Sequence, residues 1–128
     1  MSYRDLGRVK TYIAAADLSA AAKQYTFVAV TSGLNVNTAS AGADAVGVQW
    51  NRPESGHAVA VVVDAGAEPH VIASEAIAIG DEIAVSATGT AAVAASTDVV
   101  VAKALSAASA AGEYVTIELL ANGKYTKA

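Results

Sequence analysis

Large apolar side chains arrive in short clusters separated by glycine and small polar residues, and their period changes once along the chain. Over residues 1–17 the apolar points are Tyr3, Leu6, Val9, Tyr12 and Ile13, at steps of three, three, three and one. That spacing loosely suits a helix. It also suits an extended arm lying along a partner. Residues 18–24, Leu-Ser-Ala-Ala-Ala-Lys-Gln, predict a short helical turn, because alanine favours helix but so short a stretch is marginal alone.

From Tyr25 onward the pattern is β. Residues 25–30 are β-prone and Gly33 follows as a turn. Val46, Val48 and Trp50 alternate with Gly47 and Gln49, as on a half-buried strand. Residues 51–56 read as a loop, 57–63 as a Val-rich strand, and 70–73 as another. Ile77, Ile79, Ile83 and Val85 flank the turn Gly80-Asp81, and short strands follow at 91–94, 99–105 and 114–120. About eight or nine short strands with turns every 8–12 residues predict a compact β-barrel or β-sandwich-like domain. The fold class is therefore mainly all-β, with an extended N-terminal arm and at most one or two short helical turns. Residues 1–24 form the arm and turn, and 25–128 the single β domain. The abundant alanine argues for helix. Against it, Val is the commonest large residue, glycine recurs at short intervals, and packing overrides alanine's preference in strands.

Composition qualifies this picture. The chain has 128 residues, enough for one domain. Its 54% hydrophobic content includes 32 alanines, which leaves only 37 larger apolar residues. Burying a Val, Leu or Ile stabilises by about 1.5–3 kcal/mol, against roughly 0.8 for a methyl group. Two readings of this thin core stand side by side: a domain stabilised by oligomerisation or docking, and one adequately stable alone. There is no cysteine, hence no disulfide, thiolate metal site or cysteine nucleophile, although this does not fix the redox compartment. No apolar run approaches the roughly 20 residues of a membrane helix. Residues 1–10 have no hydrophobic signal core, so a cytosolic product is expected.

Charge is unevenly placed. Residues 1–23 carry four basic and two acidic side chains, a net of +2, and residues 24–123 carry two basic and ten acidic ones, a net of −8. Lys124 and Lys127 return +2 at the tail, for a total of −4. An acidic body repels a phosphate backbone, which argues against nucleic acid as a partner. The basic residues of the first segment can pair with acidic patches on a protein, or simply face solvent.

Reactive constellations are scarce in the chain. His57 and His70, with Asp64, Glu68 and Glu75, match no metal-binding spacing. Ser55, His57 and Asp64 supply the residue types of a triad, but a triad is defined by geometry, and Ser55-Gly56 is not a nucleophile elbow. Asp81 and Glu82, adjacent on a strand, point to opposite faces. No phosphate-binding or dinucleotide fingerprint is present. The expectation is no catalytic residue, no cofactor and no metal.

The body also has a recognisable order. Phe27-Val28 leads to Gly33, then to residues 45–48, Ala-Val-Gly-Val. Residues 53–61, Pro-Glu-Ser-Gly-His-Ala-Val-Ala-Val, are followed by Asp64-Ala65-Gly66 and residues 70–73, His-Val-Ile-Ala. Residues 79–83, Ile-Gly-Asp-Glu-Ile, precede residues 87–90, Ala-Thr-Gly-Thr. The series closes with residues 101–105 and the strand 112–117. This order, over residues 25–120, resembles the capsid cement, or head decoration, proteins of tailed bacteriophages. Lys103 stands where that pattern has glycine. The resemblance implies a structural virion protein on the outer surface of an expanded capsid, made in the host cytoplasm. Its partners would be the major capsid protein and further copies of itself, as a homotrimer, with neither nucleic acid nor membrane involved.

On this reading residues 1–17 form a poorly ordered arm that docks on the capsid. Tyr3, Leu6, Val9, Tyr12 and Ile13 supply apolar contacts, and Arg4 and Arg8 meet acidic rims. An extended segment can add to a sheet edge through main-chain hydrogen bonds, and several arms on one oligomer raise the effective concentration. Deleting residues 2–13 is then expected to leave the β body folded. Trp50 is a candidate anchor, in the core or at a subunit interface. The alternatives are another virion part (a tail-tube or fibre domain), a small carbohydrate- or ligand-binding β module, and a hydrolase of unrecognised type. Scarce aromatic residues weigh against the sugar-binding module.

Overall fold

The computed structural model describes residues 7–120 and 124–128. Five strands close into a barrel: β1 (Val9–Ala14), β2 (Phe27–Ser32), β3 (Asn35–Thr38), β4 (Gly47–Gln49) and β5 (Ala58–Val62), in the order β1-β3-β2-β4-β5. Closure comes from β1, which runs antiparallel to β5 from Val9↔Val62 to Ile13↔Ala58 and parallel to β3 at Ile13↔Asn35. Between β1 and β2 lies a single 3-10 turn, Ala21–Lys23. It falls within the stretch 18–24 expected to make one.

A second sheet, in the order β6-β11-β10-β7-β8, is built from β6 (His70–Ile72), β7 (Glu82–Val85), β8 (Ala91–Val93), β10 (Ala102–Ala104) and β11 (Tyr114–Leu119). A two-stranded ribbon pairs β9 (Val99–Val100) with β12 (Tyr125–Thr126). The all-β expectation holds. The body strands read from the sequence are present, with the stretch 99–105 divided into β9 and β10. Strands β1, β3 and β12 join them. Of the apolar residues expected to flank the turn Gly80-Asp81, Ile83 and Val85 lie on β7, whereas Ile79 is exposed and outside every strand.

Alternation explains why Val-rich runs are needed. Residues directly opposite in a ladder share a face. Tyr12, Val28, Val36, Val59 and Val61 fill the barrel interior. Phe27, Val48 and Val62 point the other way, into a larger core shared with Val71, Ile83, Ile117 and Leu119 of the second sheet. The β2-β4-β5 wall is therefore buried on both faces, and both parities of Val61-Val62 are apolar. The closeness of that packing shows at Gly47, where an added Cβ would lie 2.1 Å from the Val62 carbonyl oxygen.

Three devices tie the parts together. The fully buried Gln49 donates from Nε2 to the Leu18 carbonyl at 2.9 Å and to the Asn51 carbonyl at 2.8 Å, which pins the segment after β1 across the barrel. Tyr25 sits at φ +63, a left-handed conformation that costs a non-glycine residue roughly 1–2 kcal/mol. In that conformation its N–H donates to Gln49 of the barrel at 2.9 Å, and its carbonyl accepts from Ile72 of the second sheet at 3.1 Å. The third device is the tail. Lys124 pairs with Asp44 at 2.8 Å, and Lys127 with Glu82 at 2.6 Å.

The arm expectation is corrected here. Residues 9–14 are not a free segment but the strand that closes the barrel, and Tyr12 is buried within it. Deleting residues 2–13 would remove most of β1, so the β body is not expected to survive that deletion.

Candidate functional site

Of the expected capsid-binding residues, Tyr3, Arg4 and Leu6 lie outside the described residues. Arg8 donates from its backbone N–H to Asp64 Oδ2 at 2.7 Å, and its guanidinium stands 3.5 Å from the same carboxylate. Val9 and Ile13 are exposed on the outer side of β1. Tyr12 is turned to the inside, with the Lys10 ammonium 5.2 Å from its ring centroid. The strand thus separates the expected set into an outward pair, Val9 and Ile13, and an inward Tyr12.

Trp50 is partly buried and packs against the larger core. Around it the fold collects rings from positions far apart in sequence. Tyr25 precedes β2, Trp50 follows β4, His70 opens β6 and Tyr114 opens β11. Ring centroids are 4.9 Å apart for Tyr25–Trp50, 4.3 Å for Tyr25–His70, 4.9 Å for Trp50–His70, 4.9 Å for His70–Tyr114 and 5.6 Å for Tyr25–Tyr114. Several pairs meet edge to face, an arrangement favoured by the ring quadrupoles. Tyr114 remains 56% exposed. The sequence reading named Trp50 and missed the other three, since no local spacing joins positions 25, 50, 70 and 114.

The remaining candidate chemistry is dispersed. Asp64 is engaged by Arg8, while Ser55 and His57 are exposed, and no hydrogen bond links the three side chains. Among the described residues no group of three or more His, Cys, Asp or Glu is placed to hold a metal ion. Among the described residues no helix is long and apolar enough to cross a membrane. An open trough of about 690 Å³ runs between the 3-10 turn, the end of β3 and the β7–β8 hairpin. Lys23, Asn37, Thr38, Ser40 and Thr88 supply its polar lining.

The tail holds the clearest electrostatic feature. Glu82 accepts from the Lys127 ammonium and the Tyr125 hydroxyl. The Lys127 bond, followed by that of Tyr125, holds the Glu82 carboxyl below the usual carboxylate range. The same contact raises the Tyr125 phenol above its ordinary value. The cationic tail against an acidic body was the sequence signal for this clasp.

The architecture defines a class: a closed five-stranded barrel sharing one core with a five-stranded sheet. No protein-family model matches the chain, and no curated protein matches it either. Among solved structures the chain is similar to the head fiber gp8.5 N base of bacteriophage phi29, with a TM-score of 0.71, 22% identity, and coverage of 88% of this chain and 92% of that one. The two share a fold.

Proposed function

We propose that this chain is a structural virion component that binds the outer surface of an expanded phage capsid and stabilises contacts between neighbouring major capsid subunits. The observation that carries the reading is the fold shared, over 88% of the chain, with a protein of a phage head. The ordered series of body motifs supports it, as does an acidic surface unsuited to nucleic acid. The chain acts through its surfaces rather than by catalysis, and does so as a homo-oligomer, a trimer on the resemblance to cement proteins.

The docking element is the N-terminal segment together with the outer side of β1. Val9 and Ile13 give apolar contacts and Arg8 gives a charged rim, while Tyr12 serves the barrel. A rigid strand loses less entropy on docking than a disordered arm, so each copy binds more firmly than a floppy tether would. A second reading, a head-fiber component, is favoured by the same likeness.

Adding purified protein to expanded shells that lack it tests the proposal. The expected result is saturable occupancy and a higher temperature of shell disruption. Absence of binding at saturating concentration would reject it.

A further inference from the structure

We infer that the ring cluster of Tyr25, Trp50, His70 and Tyr114 is a binding site for a neutral sugar, a hexose unit of a polysaccharide chain. The chain has one Trp, one Phe and five Tyr. Scarcity of rings weighed against a sugar-binding module, but the fold gathers three of these seven, with His70, at one seam of the surface. Tyr114 stands at the outer end of the cluster, 56% exposed.

The chemistry of the cluster fits a neutral polyhydroxylated ring better than other ligands. Hexoses present C–H patches that pack on aromatic faces, and hydroxyls that need donors and acceptors at the rim. Tyr and Trp offer both, an apolar body and a polar tip. Here the Trp50 indole N–H and the hydroxyls of Tyr25 and Tyr114 make no hydrogen bond to any described residue, so these tips are available to a ligand.

The site is also preorganised. Edge-to-face packing fixes the ring orientations, with interplanar angles of 72° for Tyr25–Trp50 and 84° for Tyr25–Tyr114. Tyr25, which contacts the other three rings, is held at φ +63 by backbone bonds to both sheets. Backbone held in a sparsely populated conformation is concentrated at binding sites, and rings already ordered lose little entropy on binding. This inference is independent of the capsid reading: a shell-binding protein and a free one would carry the same site.

The emission of Trp50, the single tryptophan, reports occupancy directly in the full chain. Maltohexaose, cellohexaose and chitotetraose serve as probes, each titrated to about 10 mM, a margin of about tenfold over millimolar binding. The expected result is a saturable emission change with at least one probe. Tyr114→Ala should weaken that binding by about tenfold or more, with the circular dichroism unchanged. Tyr114→Phe, which keeps the ring and loses the hydroxyl, should lose less. Ile79→Ala, an exposed site outside the cluster, should match the wild type. No response to any probe would overturn the inference, and so would an unaltered affinity in Tyr114→Ala. An emission change that follows protein concentration without sugar, and disappears in Tyr114→Ala, would show a second copy covering the rings and would overturn it as well.

Discussion

Gly47→Ala should be among the most damaging single-methyl changes in the barrel, and the reason is spatial rather than conformational. Gly47 is buried at the start of β4, within a wall packed on both faces. Its φ is not positive, so alanine suits the backbone. Elsewhere such a substitution stabilises by about 0.4–1 kcal/mol through the unfolded state. Here the new Cβ would stand 2.1 Å from the Val62 carbonyl oxygen and 2.8 Å from Val61 Cγ1. Relief requires β4 and β5 to part by about 1 Å, at the ladder that carries Val48↔Val62. Overpacking typically costs about 1–3 kcal/mol, and more when backbone must move. A destabilisation of about 3 kcal/mol or more therefore outweighs the entropic gain. For a chain of this size it lowers the melting temperature by roughly 11 °C. Gly56→Ala is the control, with φ +82 and open space around the new methyl. It should cost only about 1–2 kcal/mol, the penalty for a left-handed alanine. Urea titrations followed by circular dichroism give both values. If Gly47→Ala unfolds within 1 kcal/mol of the wild type, the doubly packed wall is wrong.

Three further outcomes are expected. Tyr12→Ala should lose about 3–5 kcal/mol of stability, whereas the exposed Ile13→Ala should lose less than about 1 kcal/mol; equal losses in denaturant titrations would contradict the inward and outward assignment. The Glu82 carboxyl is held low, so its contribution to stability is complete above the unfolded carboxyl value near pH 4.5 and falls away as pH drops through the lower folded value. The protection factors of the Tyr125 and Lys127 amides, which correct for the slower intrinsic exchange in acid, should fall over that window in the wild type and be low already at neutral pH in Glu82→Gln. Gln49→Ala should loosen the chain around Leu18, because the bonds to the Leu18 and Asn51 carbonyls are lost while the Leu18 N–H still donates to the Pro53 carbonyl; a modest rise in exchange at the Leu18 amide, without global unfolding, is the readout.

Much of the body was legible because its strands follow the simplest rule. Val59, Val61 and Val71 are apolar where the chain is buried, and glycine or proline stands where it turns. The barrel's closing strand was harder to see. Its inward side carries Lys10, Tyr12 and Ala14, and its outward side Val9, Thr11 and Ile13. With apolar residues on both sides and a lysine near the barrel end, period-two alternation is lost and a spurious three-residue spacing takes its place. Strand β3, Asn-Val-Asn-Thr, holds one large apolar residue and is recruited by its neighbours rather than by its own pattern. The ring cluster was invisible for another reason. Its members come from four separate segments: Tyr25 reaches the cluster through a strained backbone bonded to both sheets, and His70 joins Trp50 to Tyr114, and no short-range signal encodes either.

We have proposed that this barrel-and-sheet body is a surface-bound part of a phage head. Electron cryomicroscopy of expanded shells saturated with the protein tests it most directly. The account predicts ordered density on the exterior, at junctions between capsid subunits, with the Val9–Ile13 side of β1 turned to the shell and lost contacts in Ile13→Asp. Bare shells at saturating protein, or density confined to the interior or the tail, would contradict it.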